Sequence, residues 1–97
     1  MKDKISYVFL MYDIADEESE TGKNRVNKVF KICKKYLNHH QKSVFRGEIT
    51  PSNLLKLKKE LKNVIDNTSD FVTIIKFKNK NQFSEEELGG SKDEYFL

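Results

Sequence analysis

The sequence predicts a single α+β domain in which two helices cover one face of a β-sheet. Three observations lead there. Segments with strand-type and helix-type apolar spacing alternate in the order strand, helix, strand region, helix, strand. The only proline, Pro51, sits where a helix should begin rather than in a linker, and no low-complexity stretch divides the chain. A length of 97 residues fits one domain.

Ile5 to Ile14 is almost continuously apolar and rich in β-branched and aromatic residues, which predicts a central strand buried on both faces. Residues 15–22 are acidic and small and read as a loop. Ser19 or Thr21 can cap a helix over roughly residues 23–37, whose apolar stripe is Val26, Val29, Phe30, Cys33 and Leu37. Ser43 to Ile49 reads as extended, starting near His40. Periodicity alone leaves open whether residues 40–49 are one strand or a tight hairpin. Thr50-Pro51 is a helix start, and Leu54, Leu57, Leu61 and Val64 or Ile65 mark the buried face of a helix that runs to about Ile65. Asn67 to Asp70 is a turn cluster, and Phe71 to Phe77 alternates as a strand.

If residues 40–49 split, the order becomes βαββαβ, the ferredoxin-like sandwich. Residues 1–80 would form that sandwich. Residues 81–97 would add an extra C-terminal strand and an acidic tail for dimer or partner contacts. The apolar fraction of 37% is below the roughly 45–50% of an average soluble domain. The strands look apolar on both sides, so a homodimer through the sheet is expected.

The net charge of +3 conceals a division. Residues 1–82 hold 17 of the 18 basic residues and 10 of the 15 acidic ones, whereas residues 83–97 hold one base against five acids. Residues 21–62 carry 12 bases and two acids, a balance that attracts polyanions, nucleic acid first. A chain this rich in lysine and asparagine would also place solvated lysines on any helix, so charge alone does not choose between the two readings. The longest apolar run, Tyr7 to Tyr12, is far short of a membrane span, so no membrane is expected. The N-terminus leads into a strand without a small-residue cleavage site, and the single Cys33 excludes an intrachain disulfide. The expectation is a soluble, cytoplasmic protein.

Asp13 is the sharpest candidate residue. A carboxylate closing a central strand stands at a sheet end, and Mg²⁺ is often held by one or two carboxylates together with water and phosphate oxygens. Taken alone, the simpler reading is a loop-entry Asp bonding the backbone of residues 15–16. His39-His40 invites a metal or acid–base reading, yet neighbours on a strand point to opposite faces and do not readily chelate one ion. Cys33 lies on the helix stripe and reads as core, Ser43 has no neighbouring base, and Gly89-Gly90 lacks a phosphate-loop context.

Three pieces now combine: Tyr12-Asp13-Ile14 ending the first strand, a basic helix from Arg25 to Tyr36, and Gln41-Lys42-Ser43-Val44-Phe45 leading to Glu48-Ile49-Thr50-Pro51. With Leu88-Gly89 after the last strand, the chain resembles the small ferredoxin-like CRISPR-associated proteins of the spacer-adaptation complex, known as endoribonucleases. The resemblance implies a homodimer whose C-terminal strand crosses to the partner's sheet. It implies that Asp13 is the catalytic residue and metal ligand for Mg²⁺ or Mn²⁺ across the two-fold, with cleavage of RNA or double-stranded DNA. It further implies a CRISPR integrase partner, beside which the dimer holds incoming DNA. Arg25, Lys28 and Arg46 become nucleic-acid contacts, and Tyr12, Ser43 and Phe45 motif or dimer-packing residues. Two features depart from the family's pattern: the acidic loop Asp16–Glu20, and the acidic tail, which would face away from DNA or bind the partner protein. The rival readings are a non-catalytic DNA-binding scaffold of the integration complex and a ferredoxin-like regulatory or ligand-binding domain.

Overall fold

The computed structural model describes residues 4–89. Its elements are β1 (Ser6–Asp13), α1 (Glu20–Tyr36), β2 (Asn38–Gln41), β3 (Val44–Ile49), α2 (Pro51–Val64) and β4 (Phe71–Phe77), followed by a short 3₁₀ turn, Lys80–Gln82. The four strands form one antiparallel sheet in the order β2-β3-β1-β4. That order and the βαββαβ sequence are those of the ferredoxin-like sandwich. Residues 40–49 therefore do split. Lys42, with φ of 38°, and Ser43 form a two-residue turn between β2 and β3. The first strand of this hairpin starts two residues earlier than expected, at Asn38. The backbone N–H of Leu37 closes α1 on the Cys33 carbonyl at 2.8 Å, and the chain enters β2 without a loop.

Both helix starts follow from their caps. The Ser19 hydroxyl accepts from the Gly22 N–H at 3.0 Å, and Thr50 accepts from the Asn53 N–H at 3.2 Å with Pro51 in the first turn. Val8, Leu10 and Tyr12 of β1 and Phe45 and Ile49 of β3 point toward the helices. They bury Val29, Cys33 and Leu37 from the first helical region and Leu54, Leu57 and Leu61 from α2. Burial pushes the Cys33 thiol up to about 12, so at neutral pH it is a protonated core side chain. Gly22 is fixed by close approach, because a Cβ there would lie 1.9 Å from the Asp16 carbonyl oxygen. Gly22→Ala must displace the 16–19 loop, and thermal unfolding should report a loss of about 1–3 kcal/mol.

The opposite sheet face carries Tyr7, Phe9, Met11 and Asp13 of β1 and Phe71, Thr73, Ile75 and Phe77 of β4, as strand alternation and the pairing register require. β1 is central, as expected, and its open side is only partly covered. Phe83 provides that cover, with its ring 5.2 Å from Tyr7, 5.1 Å from Phe9 and 4.8 Å from Phe77. Within the single chain, residues 83–89 form no strand and run over this sheet face, with Phe83 against Tyr7 and Phe9. The remainder of the expected extra C-terminal strand, and the acidic tail from residue 90 onward, lie outside the described residues. No helix among the described residues is long and apolar enough to cross a membrane.

Candidate metal and nucleic-acid site

Asp13 is the last residue of β1 and is exposed on the open sheet side, directly opposite Phe71 in the pairing register. Sequence reasoning alone gave it a turn-capping role. In the structure Asp70 fills that role instead. The Ala15 N–H donates to Asp70 Oδ1 at 2.8 Å, and the Asp66 N–H donates to Asp70 Oδ2 at 2.8 Å. Arg25 Nε also donates to Oδ2, at 2.9 Å, while its Nη2 donates to the Ala15 carbonyl at 2.8 Å. Asp70 is buried, and burial by itself raises its carboxyl. The hydrogen bonds from Asp66, Ala15 and Arg25 outweigh this and hold it below the usual carboxylate range.

This knot pins the chain two residues beyond Asp13 while leaving the Asp13 carboxylate unengaged. No hydrogen bond or ion pair among the described residues uses it, and it belongs to no cluster of three metal-ligating side chains there. One hard oxygen donor at an accessible strand end is of the type that Mg²⁺ or Mn²⁺ takes, and a single carboxylate does not by itself complete such a site.

The other expected site residues are spread over several surfaces. Tyr12 points the opposite way from Asp13, into the core, where its ring stacks 6.3 Å from Phe45. Burial, and to a lesser degree nearby Cys33, pushes its hydroxyl up to about 12. Phe45 is completely buried against Phe30, so it packs sheet to helix within one chain and is out of reach of a second copy. Ser43 does come to the Asp13 end of β1, where its carbonyl accepts from the Tyr12 N–H at 3.1 Å.

Of the three basic residues expected on nucleic acid, Lys28 is exposed on the outside of α1. Arg25 is committed to Asp70 and Ala15, and Arg46 lies on the open sheet face paired with Glu85. Many exposed lysines lie on the two helices, among them Lys23, Lys28, Lys31, Lys34, Lys56, Lys58, Lys59 and Lys62, while Lys4, Lys42, Lys76, Lys78 and Lys80 are exposed off the helices. Glu60 lies among the helix lysines, held below its usual range by hydrogen bonds from Lys35 and Tyr36 that tie α2 to α1. Sequence reasoning missed Asp70, which looked like one more turn residue in Asn67 to Asp70.

Residues 6–85 match the family described as CRISPR associated protein Cas2. The chain is 45% identical over 87 residues to "CRISPR-associated endoribonuclease Cas2 3" of Thermodesulfovibrio yellowstonii, covering 90% of this chain and 91% of the relative. It is 38% identical over 87 residues to "CRISPR-associated endoribonuclease Cas2" of Fusobacterium nucleatum, covering 90% of this chain and 80% of the relative. Among solved structures, one described as "Crystal structure of cas2" superposes with a TM-score of 0.76 at 36% identity, covering 91% of each chain. Streptococcus pyogenes Cas2 at pH 6.5 gives a TM-score of 0.66 at 30% identity, covering 71% of this chain and 82% of that one. The ferredoxin-like sandwich and these matches agree, and the chain belongs to the CRISPR-associated Cas2 family.

Proposed function

We propose that two copies of this chain pair through their open sheet faces, bind nucleic acid, and cleave phosphodiester bonds with a Mg²⁺ or Mn²⁺ ion held between their two Asp13 carboxylates. The observation that carries this reading is the unengaged Asp13 carboxylate, left accessible because Asp70 performs the local structural work. Beside it lies an apolar patch. Phe71 is 69% exposed and Ile75 is 44% exposed, and both share the open face with Asp13. Closing that patch with a second copy would bring the two strand ends toward each other. The names of the relatives, endoribonucleases, support RNA as a substrate.

The Asp70–Arg25–Ala15 knot would hold the strand end rigid so that Asp13 keeps its position. When bound, the ion supplies activation of water and neutralises charge on the scissile phosphate. The helix-layer lysines would supply sequence-independent affinity for the phosphate backbone, and Lys28 belongs to that set. Action on nucleic acid in the spacer-adaptation complex, beside the integrase partner, would place the protein in the cytoplasm.

Asp13→Ala tests the reading. Cleavage of RNA or duplex DNA by the purified variant should fall by about 100-fold or more, with the dimer intact by sedimentation. Undiminished cleavage would remove Asp13 from the reaction. A second reading, a non-catalytic scaffold for DNA in the integration complex, is favoured by the separation of the helix-layer lysines from Asp13, which lies on the other side of the sheet. On that reading Asp13→Ala leaves both DNA binding and spacer integration at their original level.

A further inference from the structure

The paired histidines have two different uses. The ring of His39 packs against both Phe30 and Phe45, 4.9 Å from each, and its Nε2 lies 2.8 Å from the Lys42 carbonyl. It is a packing residue of the edge strand. His40 has the opposite orientation and reaches the open sheet face. There it meets Glu85 and Glu87, and the donor atoms of the three side chains lie within 4.8 Å of one another.

This meeting depends on long-range structure. Phe83 anchors the C-terminal segment on Tyr7, Phe9 and Phe77, and the segment then crosses β3, where Arg46 pairs with Glu85. It ends over β2. Glu85 and Glu87 are two apart on an extended segment, so both point to the same side, toward His40. Arg46 offsets one carboxylate, whereas Glu87 has no ion pair among the described residues. Two carboxylates and an imidazole have thus been gathered with a single guanidinium against them, which leaves local negative charge for a cation to balance.

We propose that His40, Glu85 and Glu87 form a site for a first-row transition-metal ion of the Zn²⁺ class, which clasps the C-terminal segment to the edge strand. One imidazole nitrogen and two carboxylate oxygens are a Zn²⁺ donor set, with a fourth position left for water. The imidazole selects against Mg²⁺ and Ca²⁺, which take oxygen ligands. The site is made of different residues from the Asp13 site and does not depend on the nuclease reading.

The test uses the full chain without an affinity tag, stripped of metal and titrated with Zn²⁺ in competition with a chromogenic chelator. Hydrogen exchange is followed over residues 83–89 in parallel. One Zn²⁺ per chain should bind, exchange in 83–89 should slow when it does, and Mg²⁺ should produce neither effect. His40→Ala and Glu87→Gln change surface side chains and should each weaken Zn²⁺ by about tenfold or more, whereas Asp13→Ala should leave it unchanged. Zn²⁺ binding as tight in both His40→Ala and Glu87→Gln as in the parent would overturn the proposal. So would the absence of any Zn²⁺-dependent slowing in 83–89.

Discussion

Asp70→Ala should destabilise the fold by about 2–4 kcal/mol, which for a domain of this size lowers the unfolding midpoint by about 10 °C or more. The substitution leaves three donors without their acceptor: the N–H groups of Ala15 and Asp66 and the Nε of Arg25. Arg25→Ala should act in the same direction, because it leaves a buried carboxylate without its cation. Arg25 therefore enters any DNA-binding experiment as a stability residue as well as a basic one. The pH dependence has a definite sign. The Asp70 carboxyl is held below its unfolded value in the native state, so its contribution is fully present above the unfolded value of about 3.9. It is lost as pH falls from there through the folded value. Asp70→Asn should flatten the parent's loss of stability in that acid window, as measured by denaturant midpoints at successive pH values. A parent and variant with parallel acid profiles would contradict the assignment.

If two copies pair through the open sheet face as proposed, Ile75→Glu should leave a monomer and raise the dissociation constant by about a thousandfold or more, because a charge would have to be buried without a partner. Ile75 already faces solvent in the single chain and lies on the same sheet face as Phe71, so the substitution leaves the core intact. Sedimentation velocity across a concentration series separates the outcomes. A dimer that survives Ile75→Glu and also Phe71→Glu would place the interface elsewhere. If the two carboxylates share an ion, the monomeric variant should also lose cleavage while retaining Asp13.

Much of the sandwich was legible in the chain because its strongest signals are periodic. The β1 run, the α1 stripe through Val29, Cys33 and Leu37, and the Thr50-Pro51 start of α2 all reflect burial against one core. The edge strand β2 was only half legible, since extension was expected from near His40 and the hairpin was left open. Asn38 to Gln41 is polar, and only His39 packs inward, so hydrophobic spacing does not mark where the strand begins or where it turns. At the site, Asp13 stood out by its place at the end of an apolar strand, a local property. The work of Asp70 was hidden because it joins residues 55 and 45 positions away, Ala15 and Arg25, and sequence spacing does not report such contacts. The same holds for Phe83 and for the meeting of His40 with Glu85 and Glu87. Phe45 was read as sheet or dimer packing, and its complete burial beneath α1 resolves this to packing within the chain.

The stoichiometry of the ion at Asp13 decides whether two copies share it. Mn²⁺ binding, followed by electron paramagnetic resonance in a His40→Ala background to remove the second cluster, should saturate at one ion per two chains. It should disappear in the His40→Ala, Asp13→Ala double variant. One ion for every chain, or binding that persists without Asp13, would contradict a site shared between two copies.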